Sequence, residues 1–269
     1  MILKIKQKII YEIDGVINFG YNKLLLTPQN NENQTILNWE IIIAGGNKEL
    51  TSRDQFGNHI DLISIKNNSK RIEYNVLGKV ETHSNFGLVK SSNKDVPLWC
   101  YVDKTKLTNP GKLILKFYKD NNFNFEDIIG SLHNLSLNIK SRIKYKKGTT
   151  NYKTTAEDAF EKGTGVCQDH THIFLSLVRM YNLPCRYVSG LFIPKDNNIN
   201  LSMHAWAEVF IKDLGWIGFD ISNGVSPDER YVVISKGFDY NDVVPVRGII
   251  NGNFIENQNL ELTIDILNQ

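Results

Sequence analysis

The stretch "GTGVCQDHTHIF", residues Gly163 to Phe174, places a cysteine, an aspartate and two histidines within the six positions from Cys167 to His172. Downstream, Ile173, Phe174, Leu177, Val178 and Tyr181 recur at helical spacing, and the pattern stops at Leu183-Pro184. A helix is therefore expected to start close to Cys167 and run to about Asn182. Cys167 then sits in its first turn, where unsatisfied backbone N–H groups and the positive end of the macrodipole favour a thiolate, the nucleophilic form. Gly163 and Gly165 let the chain bend tightly and expose that turn.

A metal site fits this spacing poorly. Cys167 and His170 share a helix face, but His172, two residues further, points roughly 160–200° away. No second Cys-x-x-Cys or His-x-x-x-His pair completes a tetrahedral set, and no acidic twelve-residue loop suggests calcium. No metal and no cofactor are expected. A lone cysteine is by default a small buried hydrophobe, the reading given to Cys100 and Cys185. For Cys167 that reading yields only if a base can be found.

"SMHAWAEVFIKDLGWIGFDISNG", Ser202 to Gly224, supplies one. Ala205 to Ile211 and Gly215 to Asp220 read as strands joined by a turn at Lys212-Asp213-Leu214. Folded about Lys212, the hairpin sets His204 opposite Asp220, close enough for a carboxylate to accept from an imidazole N–H. Alone, the hairpin is a Trp-rich core element with Trp206 and Trp216 filling space. With a cysteine at a helix start, Cys, His and Asp become an acyl-transfer constellation. His170, His172 and Glu208 compete for the roles of base and acid, His172 least well because it faces away from the thiol.

At 269 residues with 41% hydrophobic content, the chain can fill one large core or two ordinary ones. Its net charge of +2 gives no reason to expect nucleic acid or a membrane surface as partner. The basic run Lys140 to Lys147 reads as a solvated helix end. No apolar run approaches a membrane span or a signal segment, and three cysteines are too few for a disulfide scaffold. A cytoplasmic location is the expectation. Lys4 to Tyr11, Ile36 to Ile43, His59 to Ile65 and Arg71 to Glu81 read as strands, so residues 1–96 are expected to form an all-β sandwich. Ser91 to Asp95 and then Thr108-Asn109-Pro110-Gly111 mark a change. Beyond it, Phe125 to Ile143 carries a helical stripe, Thr154 and Glu157 are placed as N-cap and capping-box partner of a short helix, and strands return from Cys185. Residues 97–269 are expected to form an α+β catalytic domain, with residues 249–269 as a candidate returning strand.

Gly165-Val166-Cys167-Gln168-Asp169-His170, His204-Ala205-Trp206-Ala207-Glu208-Val209 and Gly215-Trp216-Ile217-Gly218-Phe219-Asp220 with Ser222-Asn223-Gly224 resemble the nucleophile, histidine and aspartate motifs of the transglutaminase-like superfamily. The resemblance continues through Leu24 to Pro28, Trp39 and Arg53 to Asn58, and again through Asp228 to Tyr231 and Asp239 to Gly248, in the manner of its bacterial branch with an added N-terminal β-domain. It implies a papain-like catalytic fold with Cys167 as nucleophile, His204 as general base and then acid, and Asp220 as orienting carboxylate. Gln168 and Trp206 are supporting residues by adjacency. Ile221 departs from the pattern, since proline is frequent after the aspartate, which bears on loop rigidity alone.

The implied reaction is attack of the thiolate on an amide of a protein or peptide substrate, release of an amine, and resolution of a thioester by water or by a second amine. The Cys167 backbone N–H is one expected oxyanion donor; the sequence fixes neither the other donor nor the oligomeric state. Two alternatives belong to other classes: a non-catalytic peptide-binding module on the same fold, and a docking role for the N-terminal β-domain.

Overall fold

A computed structural model describes residues 1–89, 96–194 and 202–267. The expected break at Ser91 to Asp95 lies outside the described residues.

The N-terminal part is β1 (Ile2–Leu24), β2 (Gln34–Ala44), β3 (Gly46–Arg53), β4 (His59–Ile65) and β5 (Arg71–Thr82). After β6 (Leu88–Val89) come α1 (Lys112–Asp120), α2 (Ile128–Arg142), β7 (Lys144–Tyr145), α3 (Ala156–Lys162), β8 (Thr164–Gly165) and α4 (Cys167–Met180). The chain continues through β9 (Cys185–Phe192), β10 (Met203–Ile211), β11 (Gly215–Phe219) and β12 (Tyr231–Gly237) and closes with β13 (Val246–Leu267).

Where a two-sheet sandwich is expected, the structure has one curled sheet in the order β2-β5-β1-β4-β3, with β13 on β1. β1 explains the curl. It is far longer than an ordinary strand, and its first half pairs with β5 while its last residues, Gly20 to Leu24, pair with β4. Between these halves its register against β13 shifts at Ile17/Phe19. Gly15, at φ +132°, lies so close to β13 that a Cβ there would meet Asn253 O at 2.2 Å. A bulge and a glycine bend the ribbon. The two halves then close over a shared core of Ile9, Ile13, Ile17, Leu24, Ile63, Ile72 and Tyr74.

The candidate returning strand is long, and it joins the N-terminal sheet, pairing antiparallel with β1 from Ile2↔Leu267 to Leu24↔Val246. The chain from β6 to β12 is therefore an insertion between β5 and β13, strands that both pair with β1. A second apolar cluster, with Leu3, Ile5 and Val80 against Leu191, Val232 and Ile234, joins the curled sheet to the inserted part.

The second sheet is antiparallel, in the order β12-β9-β10-β11-β6. One face receives α4, through Ala205, Ala207, Val209, Ile217 and Phe219 against Ile173, Phe174, Leu177 and Val178. Burying each of the larger side chains stabilises by about 1.5–3 kcal/mol. α4 is buried on all sides from Asp169 to Arg179, because α2 and α3 cover what the sheet leaves open. Its buried cation is satisfied: Arg179 donates to Tyr101 O, Thr108 Oγ1, Cys185 O and Phe238 O. The short helix before it is capped one residue later than expected, with Thr155 accepting from Asp158 N and Asp158 closing the capping box.

Candidate active site

Cys167 is the first residue of α4, reached through β8. Gly163 ends α3 in the left-handed region at φ +64°, and Gly165 leaves space that a Cβ would fill 2.7 Å from Asp169 Cβ. That closeness has a use. Asp169 Oδ2 accepts from Val166 N at 2.7 Å and from Thr150 Oγ1 at 2.6 Å, which ties the turn before the cysteine to the start of the helix. Burial pushes the Asp169 carboxyl up, and the two donors and nearby positive charge only partly offset it.

His170 and His172 do not share the site. The ring nitrogens of His170 lie 2.9 Å from Val166 O and 3.0 Å from Ile143 O, so this ring pins α4 to the end of α2. His172 is fully buried, accepts from Tyr240 N through Nε2 at 3.2 Å, and is pushed down to about 4, first by burial. Glu208 points to the face of the sheet turned away from α4, where it pairs with Arg186 at 2.6 Å. Among the described residues, no group of three or more His, Cys, Asp or Glu side chains is disposed to hold a metal.

His204, in β10, donates through Nε2 to Asp220 Oδ2 at 2.7 Å. The register by which the pair meets differs from the expected one. Ala207 faces Phe219 and Ile211 faces Gly215, so the hairpin turns about Asp213, which takes the left-handed conformation at φ +68°. Extending that register, Asp220 stands opposite Trp206, and His204 reaches it diagonally. A diagonal pair is still within reach of a long or aromatic side chain. Burial opposes charge on His204, but the hydrogen bonds and negative charges of Asp220 and Cys167 outweigh it and raise the imidazole to about 10. Nε2 being engaged with Asp220, Nδ1 is the nitrogen left for the sulfur.

Asp220 is fully buried and heavily donated to. Tyr231 Oη gives to Oδ2 at 2.7 Å, Asn223 Nδ2 to Oδ2 at 2.6 Å, and Asn223 N to Oδ1 at 3.1 Å. Burial acts to raise its carboxyl, but His204, Tyr231 and Asn223 together hold it below the usual carboxylate range. Tyr231 has no signal in the spacing of the hairpin; Asn223, three residues after Asp220 in a turn, has one, since side chains at such positions bond locally. Trp206 is buried beneath the pair, 6.3 Å from the His204 ring and edge-on to Tyr231. Tyr145, also absent from the sequence reading, is pushed up to about 12 by burial and by the neighbouring Cys167.

Cys167, Gln168 and His204 line one cleft of about 750 Å³. Its opposite wall is the β1/β13 ribbon, which contributes Gln7, Ile9 and Tyr11 together with Glu256, Gln258 and Leu260. The other cysteines lie elsewhere: Cys185 is fully buried with its thiol pushed up to about 11 by burial, and Cys100 sits in the short 3-10 helix Leu98–Val102. All three are free thiols.

A cysteine at a helix start and a histidine–aspartate pair on an adjoining antiparallel sheet define the class of papain-like thiol folds. Residues 125–221 match the Transglutaminase-like superfamily and residues 3–81 the Bacterial transglutaminase-like N-terminal region. The chain belongs to the transglutaminase-like superfamily. Uncharacterized proteins of Mycobacterium tuberculosis and Mycobacterium bovis are 26% identical to it over 284 residues, covering 96% of this chain and 90% of theirs. A Mycobacterium leprae protein is 36% identical over 118 residues, 42% of either chain. The crystal structure of a candidate cysteine protease from Cytophaga hutchinsonii superposes with a TM-score of 0.79 over 100% of this chain and 92% of that one. At 22% identity the likeness is one of fold.

Proposed function

We propose that this protein is a thiol-dependent acyl-transfer enzyme acting on amide bonds of protein or peptide substrates. Cys167 loses its proton to His204 and attacks the amide carbonyl, forming a C–S bond and an oxyanion. Collapse breaks the C–N bond, His204 returns the proton to the departing amine, and a thioester remains. Water or a second amine, deprotonated by the same imidazole, then releases the acyl group. Asp220 holds the ring so that Nδ1 faces the sulfur and stabilises its positive charge. Trp206 supports that orientation from beneath, and Gln168 borders the acyl position.

The observation that carries this reading is the 2.7 Å contact between His204 Nε2 and Asp220 Oδ2, made in the cleft that Cys167 also lines. Iodoacetamide labelling followed by peptide mapping tests it. Cys167 is expected to label fastest of the three cysteines, and His204→Ala is expected to slow it. Slow labelling at Cys167, or labelling indifferent to His204, would favour a non-catalytic peptide-binding module. With a reactive thiol in hand, release of ammonia or peptide from amide substrates, with and without an added primary amine, separates hydrolysis from amine transfer.

A further inference from the structure

On the face of the second sheet turned away from α4 lies a separate cavity of about 350 Å³. It is bordered by the β1–β2 connection (Gln29, Asn30, Asn31, Glu32), by Arg53 and Asn58, and by Arg186 of β9 and Val233 to Lys236 of β12. A volume of this order suits a small ligand. Its charge is unbalanced at the buried end. Arg186 and Glu208 are ion-paired at 2.6 Å with side-chain exposures of 7% and 1%. Lys236 approaches the same carboxylate oxygen at 3.9 Å with 18% exposure. One carboxylate thus serves two cations, and Arg186 is already committed, its guanidinium also stacked 3.9 Å over the Trp216 ring.

An uncompensated buried cation is strongly unfavourable, so it loses its proton or finds an anion. Burial and the Arg186 charge push the Lys236 ammonium down to about 8, with Glu208 opposing. At the mouth, Arg53 adds a third cation and Asn30 and Asn31 add amides; Glu32 is the one carboxylate of the lining.

We propose that this cavity binds a small oxyanion, the group shared by phosphate esters and carboxylate metabolites, through Lys236 and Arg53, with the committed Arg186 guanidinium behind them. The site joins the two parts of the fold, since its lining comes half from the curled sheet and half from the sheet that carries His204. The proposal does not depend on the thiol chemistry.

Titration calorimetry of the full chain with inorganic phosphate, and separately with citrate, at constant ionic strength set by chloride, tests it. Saturable one-site binding is expected for at least one probe, weakened tenfold or more by Lys236→Met and severalfold by the surface change Arg53→Ser, and unaltered by Cys167→Ala. Tighter phosphate binding assigns the site to a phosphate ester, tighter citrate binding to a carboxylate. Absence of saturable heat with both probes overturns the proposal, and so does binding equal to wild type in both Lys236→Met and Arg53→Ser. If Lys236→Met fails to fold, Arg53→Ser alone decides.

Discussion

Asn58 and Lys236 exchange two hydrogen bonds: Lys236 N donates to Asn58 Oδ1 at 2.8 Å, and Asn58 Nδ2 donates to Lys236 O at 2.7 Å. Gln34 does the same three residues away, accepting from Val233 N at 2.8 Å and donating to Val233 O at 2.9 Å. β12 is the edge of its sheet, with backbone groups that would otherwise lack partners. Two side-chain amides from the curled sheet stand in for the missing neighbour strand and lock the two parts of the molecule in register.

Asn58→Asp removes both amide hydrogens at once. It leaves Lys236 O without its donor and sets a carboxylate against Asp54, which now receives from Asn58 Nδ2. The expected loss is about 1–3 kcal/mol or more, read as a lower urea midpoint with unchanged slope. An unchanged midpoint would mean that the clasp contributes nothing to docking.

Tyr231→Phe takes one donor from Asp220 and leaves the histidine pair intact. A hydrogen bond of this kind contributes roughly 1.5–3 kcal/mol when its acceptor is charged. Turnover and Cys167 alkylation should fall severalfold, while Asp220→Asn, which upsets the tautomer of His204, should reduce turnover by orders of magnitude. Equal effects from the two changes would place Tyr231 in the fold and not in the orientation of the pair.

Stability should depend on pH through the same pair. His204 stands at about 10 in the fold against 6.5 as a free side chain, so the folded state holds this proton more tightly. The contribution is complete below about pH 6.5 and is lost as pH rises towards 10. Asp220 acts with the opposite sign: held below 3.8, its contribution is present above that value and disappears as pH falls through the lowered one. The difference in unfolding free energy between wild type and His204→Gln should therefore shrink across the alkaline window. A difference independent of pH would show that His204 is not held protonated.

A chain truncated before Val246 loses the partner of β1 and, with Glu256, Gln258 and Leu260, one wall of the cleft. A chain beginning after the N-terminal sheet leaves β13 unpaired and exposes Leu191, Val232 and Ile234. Both are expected to be insoluble or to lack a cooperative transition in circular dichroism. Soluble, cooperative folding of either would contradict the shared core.

The helix beginning at Cys167 and the hairpin carrying His204 were legible because each rests on local periodicity and on a turn within a few residues. The register of that hairpin was not, since a two-residue shift keeps every side chain on its face and only the left-handed Asp213 decides between the alternatives. His170 reads as a competing base by composition, yet it is consumed, with Asp169, in tying Val166, Thr150 and Ile143 around the thiol. Tyr231 and the β1–β13 pairing depend on contacts remote in sequence, which no local pattern records. A sandwich was expected because its strands alternate as a sandwich's do; one bent ribbon produces the same alternation.

The β1–β13 pairing also sets an order of events during synthesis. β1 emerges first, finds β5 early, and must hold its other edge open until Val246 to Leu267 has been made. Everything from α1 to β12 can collapse in that interval. A long unpaired edge is an invitation to aggregation, and contacts of such sequence separation are slow to form. The wall opposite Cys167 is completed by that same late strand, so a partly made chain has a thiol and a histidine but no finished cleft in which to use them.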